Sequence, residues 1–121
     1  QVIYGLFRKS SIKEIKFESF IGNDWAVFLD VLKTGDLYVI DEVMMHEYES
    51  GATGNGIINS QKYYNPKLLE KIFPWLPFTK WCWNNLESMI FIKNLDYFIQ
   101  LNIEGEISLI IDTVKKIADK F

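Results

Sequence analysis

Gly22-Asn23-Asp24-Trp25-Ala26-Val27-Phe28-Leu29-Asp30-Val31-Leu32-Lys33-Thr34-Gly35 is the stretch on which the fold turns. Its apolar positions Trp25, Phe28, Leu29 and Leu32 fall at i, i+3, i+4 and i+7, the spacing that lines side chains in one stripe along a helix. Asn23 or Asp24 can cap the first turn by accepting a backbone N–H, and Gly35 can end the helix. Directly after it, Leu37 to Met45 is rich in β-branched and aromatic residues. If that segment is extended, Leu37, Val39, Val43 and Met45 share one face, which Asp41 interrupts at a bulge or rim. Upstream, Val2 to Phe7 is β-prone, and Ser10 or Ser11 can cap a short helix or turn through Ile12-Lys13-Glu14-Ile15. The order around the helix is therefore strand, helix, strand.

Further along, Ser50-Gly51-Ala52-Thr53-Gly54-Asn55-Gly56 offers no residues for a packed face and predicts a mobile loop. Asn65-Pro66 has the order of a helix start, and Pro74 and Pro77 punctuate the chain around Trp75 and Leu76. Thr79 can open a long helix through Trp81, Trp83, Leu86 and Ile90 to about Leu101, with Asn102 to Gly105 breaking it. Ile107, Ile110, Ile111, Val114, Ile117 and Phe121 repeat at helical spacing and predict a last amphipathic helix packed on the body. The expected class is α+β: a strand-helix-strand portion over residues 1–64, then a helical extension over 65–121, together one partial domain.

At 121 residues the chain is the size of one domain, and 49% hydrophobic with 24% charged residues suits a packed core rather than disorder. A net charge of -3 gives no electrostatic reason to bind nucleic acid, so no nucleic-acid partner is expected. Cys82 is the only cysteine, which excludes an internal disulfide and points to a reducing, cytoplasmic location. No apolar run reaches the roughly 18 residues of a spanning helix. Gln1 followed by Val2-Ile3-Tyr4 reads as a cut within a longer protein.

Few residues offer chemistry. Asp24 at a helix mouth is either a cap or a general base that takes a proton from an attacking hydroxyl. Trp25 is either a core residue or an apolar platform for a sugar ring. His46, the one histidine, sits where a strand would enter the glycine-rich loop; it is either a hydrogen-bonded structural residue or a contact for metal or phosphate. Glu42, Glu47 and Glu49 default to solvated charge. The glycine-rich loop lacks the terminal Gly-Lys-Ser/Thr of a phosphate loop and reads better as a flap. Phe73, Trp75, Phe78, Trp81 and Trp83 form either core or, if exposed together, a membrane or protein interface.

The order Tyr4-Gly5-Leu6-Phe7-Arg8, Gly22-Asn23-Asp24-Trp25, Lys33-Thr34-Gly35, Val43-Met44-Met45-His46 resembles the second half of a family 2 glycosyltransferase catalytic domain of the GT-A type. The resemblance spans about Val2 to Gly56. It implies that Asp24 is the base toward the acceptor hydroxyl of an inverting transferase. Trp25, Arg8 and Asn23 would then contact substrate, with Asn23 standing where many members have glutamate. It also implies that His46 helps hold a divalent metal, Mg or Mn, and the diphosphate of a nucleotide-sugar in a parent enzyme. The family's donor-binding half and Asp-x-Asp motif do not precede this region, so this chain alone is expected to be inactive and to hold no metal. The alternative is a protein-interaction or membrane-surface module without catalysis, with peripheral membrane contact and homo-oligomerisation both open.

Overall fold

The computed structural model describes residues 6–39 and 56–120, and among them every regular element is a helix. These are α1 (Lys9–Ile12), α2 (Asn23–Leu32), α3 (Ile57–Gln61), α4 (Leu68–Ile72), α5 (Leu76–Asn85), α6 (Ser88–Lys93) and α7 (Leu95–Ala118). The α+β expectation is overturned. Leu6-Phe7 and Leu37-Tyr38-Val39, the described parts of the two expected strands, have no ladder, and Leu6, Tyr38 and Val39 are well exposed. β-branched and aromatic residues favour a pleated, half-buried surface only when a neighbouring strand supplies one, and the described residues supply none. The remainder of those segments, His46 and the loop from Ser50 to Asn55 lie outside the described residues.

The helix read from Gly22 to Gly35 is present, but its roles are redistributed. Gly22, at φ 87°, is the N-cap, so neither Asn23 nor Asp24 caps by side chain; Asp24 lies in the first turn, where a carboxylate complements the helix dipole. The buried positions are Ala26 and Val27, whereas Trp25 is 54% exposed. The stripe is rotated because Ala26 brings the α2 backbone close to the large rings of α5. Phe20, Ala26, Phe78, Trp81, Cys82 and Phe91 form the core, with Leu29, Trp75, Leu86, Phe98 and Leu101 packed around it.

One long helix from Thr79 to Leu101 was expected; the chain instead forms α5, α6 and the start of α7. Leu86 turns extended at ψ 156°, and Asn94 leaves helical geometry at φ -114°. Asparagine punctuates here: Asn85 Nδ2 donates to the Trp81 carbonyl at 2.9 Å and Asn94 Nδ2 to the Ile90 carbonyl at 2.8 Å. Such local bonds satisfy end carbonyls and favour termination. The short connections fold the aromatics together, so Phe91 stacks on Phe98 at 4.5 Å and meets Trp83 edge-on at 5.1 Å.

The break expected at Asn102 to Gly105 does not occur, and α7 runs through it. Gly105 is buried against Trp75, and a Cβ there would fall on the indole Cδ1. A Cβ at Gly22 would lie 2.6 Å from Cζ3 of the same ring. The two glycines thus let the Trp75 ring enter between the start of α2 and the middle of α7. Asn102 donates to Thr79 Oγ1 at 2.8 Å, and Thr79 donates to the Trp75 carbonyl at 3.1 Å, tying α7 to α5 beside the ring.

α3 is held from a distance. The Asp112 carboxylate of α7 accepts the Ile57 N–H at 2.6 Å and the Ile58 N–H at 3.4 Å, meeting donors that a helix start leaves unpaired. Gln61, at the other end of α3, donates to the Glu70 and Lys71 carbonyls of α4 at 3.3 and 3.1 Å. α4 itself starts at Leu68, two residues after Pro66, with the Lys67 N–H donating to Glu70 Oε2 at 2.8 Å. Packing of α2 on α5 and of α3 on α7 joins segments from both sides of residue 64.

Candidate functional site

Among the described residues, those singled out for chemistry do not converge. Asp24 lies at the start of α2 and acts on Tyr64, whose phenol is pushed above its ordinary value of 10.0 by burial first and by the Asp24 charge second. Tyr64 therefore remains a proton donor at neutral pH. Beside it, Phe20, Gln61, Pro66, Glu70 and Pro74 line a slot of about 10 Å³, room for one water and too little for a sugar ring. Arg8 lies instead beyond the far end of α2, in an open recess of about 490 Å³ with Phe28, Leu32, Gly35 and Tyr38. Asp24 and Leu32 are eight residues apart along the helix, or about 12 Å. Asn23 is half-buried and Trp25 faces solvent, and neither lines the slot or the recess.

Among the described residues no group of three His, Cys, Asp or Glu side chains could hold a metal ion, and His46 lies outside them. These residues therefore provide no donor set for a divalent Mg or Mn ion.

Cys82 sits at the floor of an apolar groove of about 410 Å³ bordered by Leu29, Phe78, Leu86, Ile90 and Phe98. Burial pushes its thiol up from 9.0 to about 12, against the opposing pull of the Lys33 charge. Lys33 itself lies 5.4 Å from the Trp81 ring centre and pairs with Asp30 at 2.7 Å. A thiol held protonated is a poor nucleophile. At pH 8 iodoacetamide is expected to alkylate folded Cys82 on the order of a hundredfold more slowly than the urea-unfolded chain, as followed by mass spectrometry; equal rates would show the thiol is not sealed. Between pH 9 and 12 the folded state keeps a proton that the unfolded state releases, so stability is expected to fall as pH rises through that window. The raised Tyr64 phenol acts in the same direction at the top of that range.

An organised apolar surface lies on α7. Phe98, Leu101, Asn102, Gly105, Leu109 and Asp112 face inward and are buried or half-buried. On the opposite side, Ile103, Ile107, Ile110, Val114 and Ile117 are between 51% and 63% exposed. The apolar stripe was expected to pack on the body; the body instead takes the face centred on Gly105. The sequence signal for this arrangement was present in the isoleucine spacing, but reading Gly105 as a break cut the row at Ile107 and hid Ile103. Tyr64 beside Asp24 had no such signal, since the pair is brought together only by the tertiary fold. Of the aromatic group, Phe78 and Trp81 are buried, Trp75 packs against the core, and Phe73 and Trp83 are exposed. No helix among the described residues is long and apolar enough to cross a membrane. No protein-family model, no curated protein and no solved structure matches the chain.

Proposed function

We propose that the chain is a helical protein-interaction module whose docking element is the outward face of α7. The carrying observation is that five large aliphatic side chains, Ile103, Ile107, Ile110, Val114 and Ile117, stand in one exposed row on a helix whose inner face is already packed. Isolated exposed apolar residues need no explanation, but a contiguous row of them marks an interaction surface. The face must then be dispensable for folding. Ile110→Gln is expected to change monomer stability by no more than about 0.5 kcal/mol in urea unfolding at high dilution. A loss of about 2 kcal/mol or more would make Ile110 a core residue and remove the reading.

A second reading rests on Asp24, whose carboxylate in the first turn of α2 lies beside the protonated Tyr64. In a longer inverting glycosyltransferase acting on a nucleotide-sugar and a sugar acceptor, that carboxylate would be the base toward the acceptor hydroxyl, with the divalent metal held elsewhere. Asp24→Asn in the protein as it occurs in the cell is then expected to reduce sugar transfer about a hundredfold or more with folding intact. Near-normal transfer would leave Asp24 as a helix-end charge only.

A further inference from the structure

We propose that α7 pairs with α7 of a second copy of this chain, antiparallel, along the row from Ile103 to Ile117. This rests on the reading that the outward face of α7 docks protein, and it names the partner. Ile103, Ile107, Ile110, Val114 and Ile117 are spaced by four, three, four and three residues. That alternation is the 3.5-residue period of a two-helix seam, here about 21 Å long, with Ile99 and Ile111, also exposed, on its flanks. The inner face obeys the same period. With the isoleucine row as the two seam columns, Phe98, Gly105 and Asp112 occupy the column directly opposite, and these are the residues that stack on Phe91, admit Trp75 and hold α3. The helix is therefore bound to its own fold along one side and bare along the other.

Charge selects both the partner and its direction. Glu104 and Glu106 flank the start of the exposed row, whereas Lys115, Lys116 and Lys120 outnumber Asp119 towards its end. Parallel pairing would set like charges side by side. Antiparallel pairing brings the acidic start of one helix to the basic end of the other, twice over by symmetry. One register satisfies both the seam and the charges. In it Ile107 meets the second copy's Ile117, Ile110 meets its Val114, and Glu106 comes near its Lys120 in the turn that follows α7. Thr113 then faces its own counterpart across the two-fold axis.

Sedimentation equilibrium of the full chain from micromolar to near-millimolar concentration tests the pairing, with circular dichroism confirming that each variant is folded. A reversible monomer–dimer equilibrium is expected, weakened about tenfold or more by Ile110→Gln. Glu106→Lys should weaken it, and the double variant Glu106→Lys with Lys120→Glu should restore it. Thr113→Cys should form a disulfide-linked dimer under mild oxidation, while Ile107→Cys, which faces itself only in a parallel pair, should not. A chain that stays monomeric throughout, or a dimer indifferent to Ile110→Gln, overturns the proposal. So does a monomer that floats with anionic vesicles, which would make a lipid surface the occupant. These results leave the docking-surface reading standing, since that reading fails only if Ile110→Gln destabilises the dilute monomer.

Discussion

Trp75→Ala is expected to cost about 3 kcal/mol, the range for truncating a large aromatic that is packed on several sides. The ring touches α2 at Gly22, α7 at Gly105 and Phe78 edge-on at a centroid distance of 6.1 Å, so its removal opens the junction of three helices. Thermal unfolding followed by circular dichroism should show a midpoint lowered by about 10 °C or more. Gly105 supplies the sharper form of the test. Gly105→Ala alone places a methyl on the indole, an overpacking cost of about 1–3 kcal/mol that outweighs the roughly 1 kcal/mol that alanine gains over glycine inside a helix. In the Trp75→Ala background the obstruction is gone and the same substitution is expected to stabilise. If Gly105→Ala has the same sign in both backgrounds, the glycine is not there for the ring.

Asp112→Ala is the second substitution with a large expected effect, about 2 kcal/mol, because one carboxylate oxygen accepts both the Ile57 and Ile58 amides. Leaving two helix-start donors without an acceptor detaches α3, a helix too short to persist on its own. Hydrogen exchange should report it locally, with the Ile57 and Ile58 amides losing protection well before those of α5. Asp112→Asn keeps an acceptor oxygen but loses the charge, and about half the cost is expected. Gly56 fits the same contact, since at φ 85° and hard against the Asp112 carboxylate it leaves no room for a side chain. Unchanged protection in Asp112→Ala would show that α3 is held by packing alone.

The existence of α2 and of a last amphipathic helix was legible in local residues: apolar spacing from Trp25 to Leu32 in the one and isoleucines at helical spacing in the other, although the caps of α2 and the start of α7 were not. The expected strands were not, because Leu37, Tyr38 and Val39 state only a preference for a surface that a neighbouring strand must provide. Gly105 misled for a related reason. In the sequence a glycine among polar residues reads as a break, and only the approach of Trp75, thirty residues earlier, explains it as a space inside a continuous helix. The candidate chemistry was legible as residue types and not as a site, since α2 sets Arg8 and Asp24 at opposite ends.

The three inward residues of α7, Phe98, Gly105 and Asp112, recur every seventh position and each engages a different neighbour. A helix clamped at three points along one line has no freedom to roll about its axis. Its angular phase is fixed, and the length of α7 between Phe98 and Asp112 is fixed with it. One inserted residue turns everything downstream by about 100°, carrying Asp112 away from α3 and swinging the end of the isoleucine row toward the body. Seven inserted residues return the helix almost to phase. The axial shift of about 10.5 Å that comes with those seven residues still parts Asp112 from α3, so the fold holds this stretch of its sequence to one length whatever the partner across the seam.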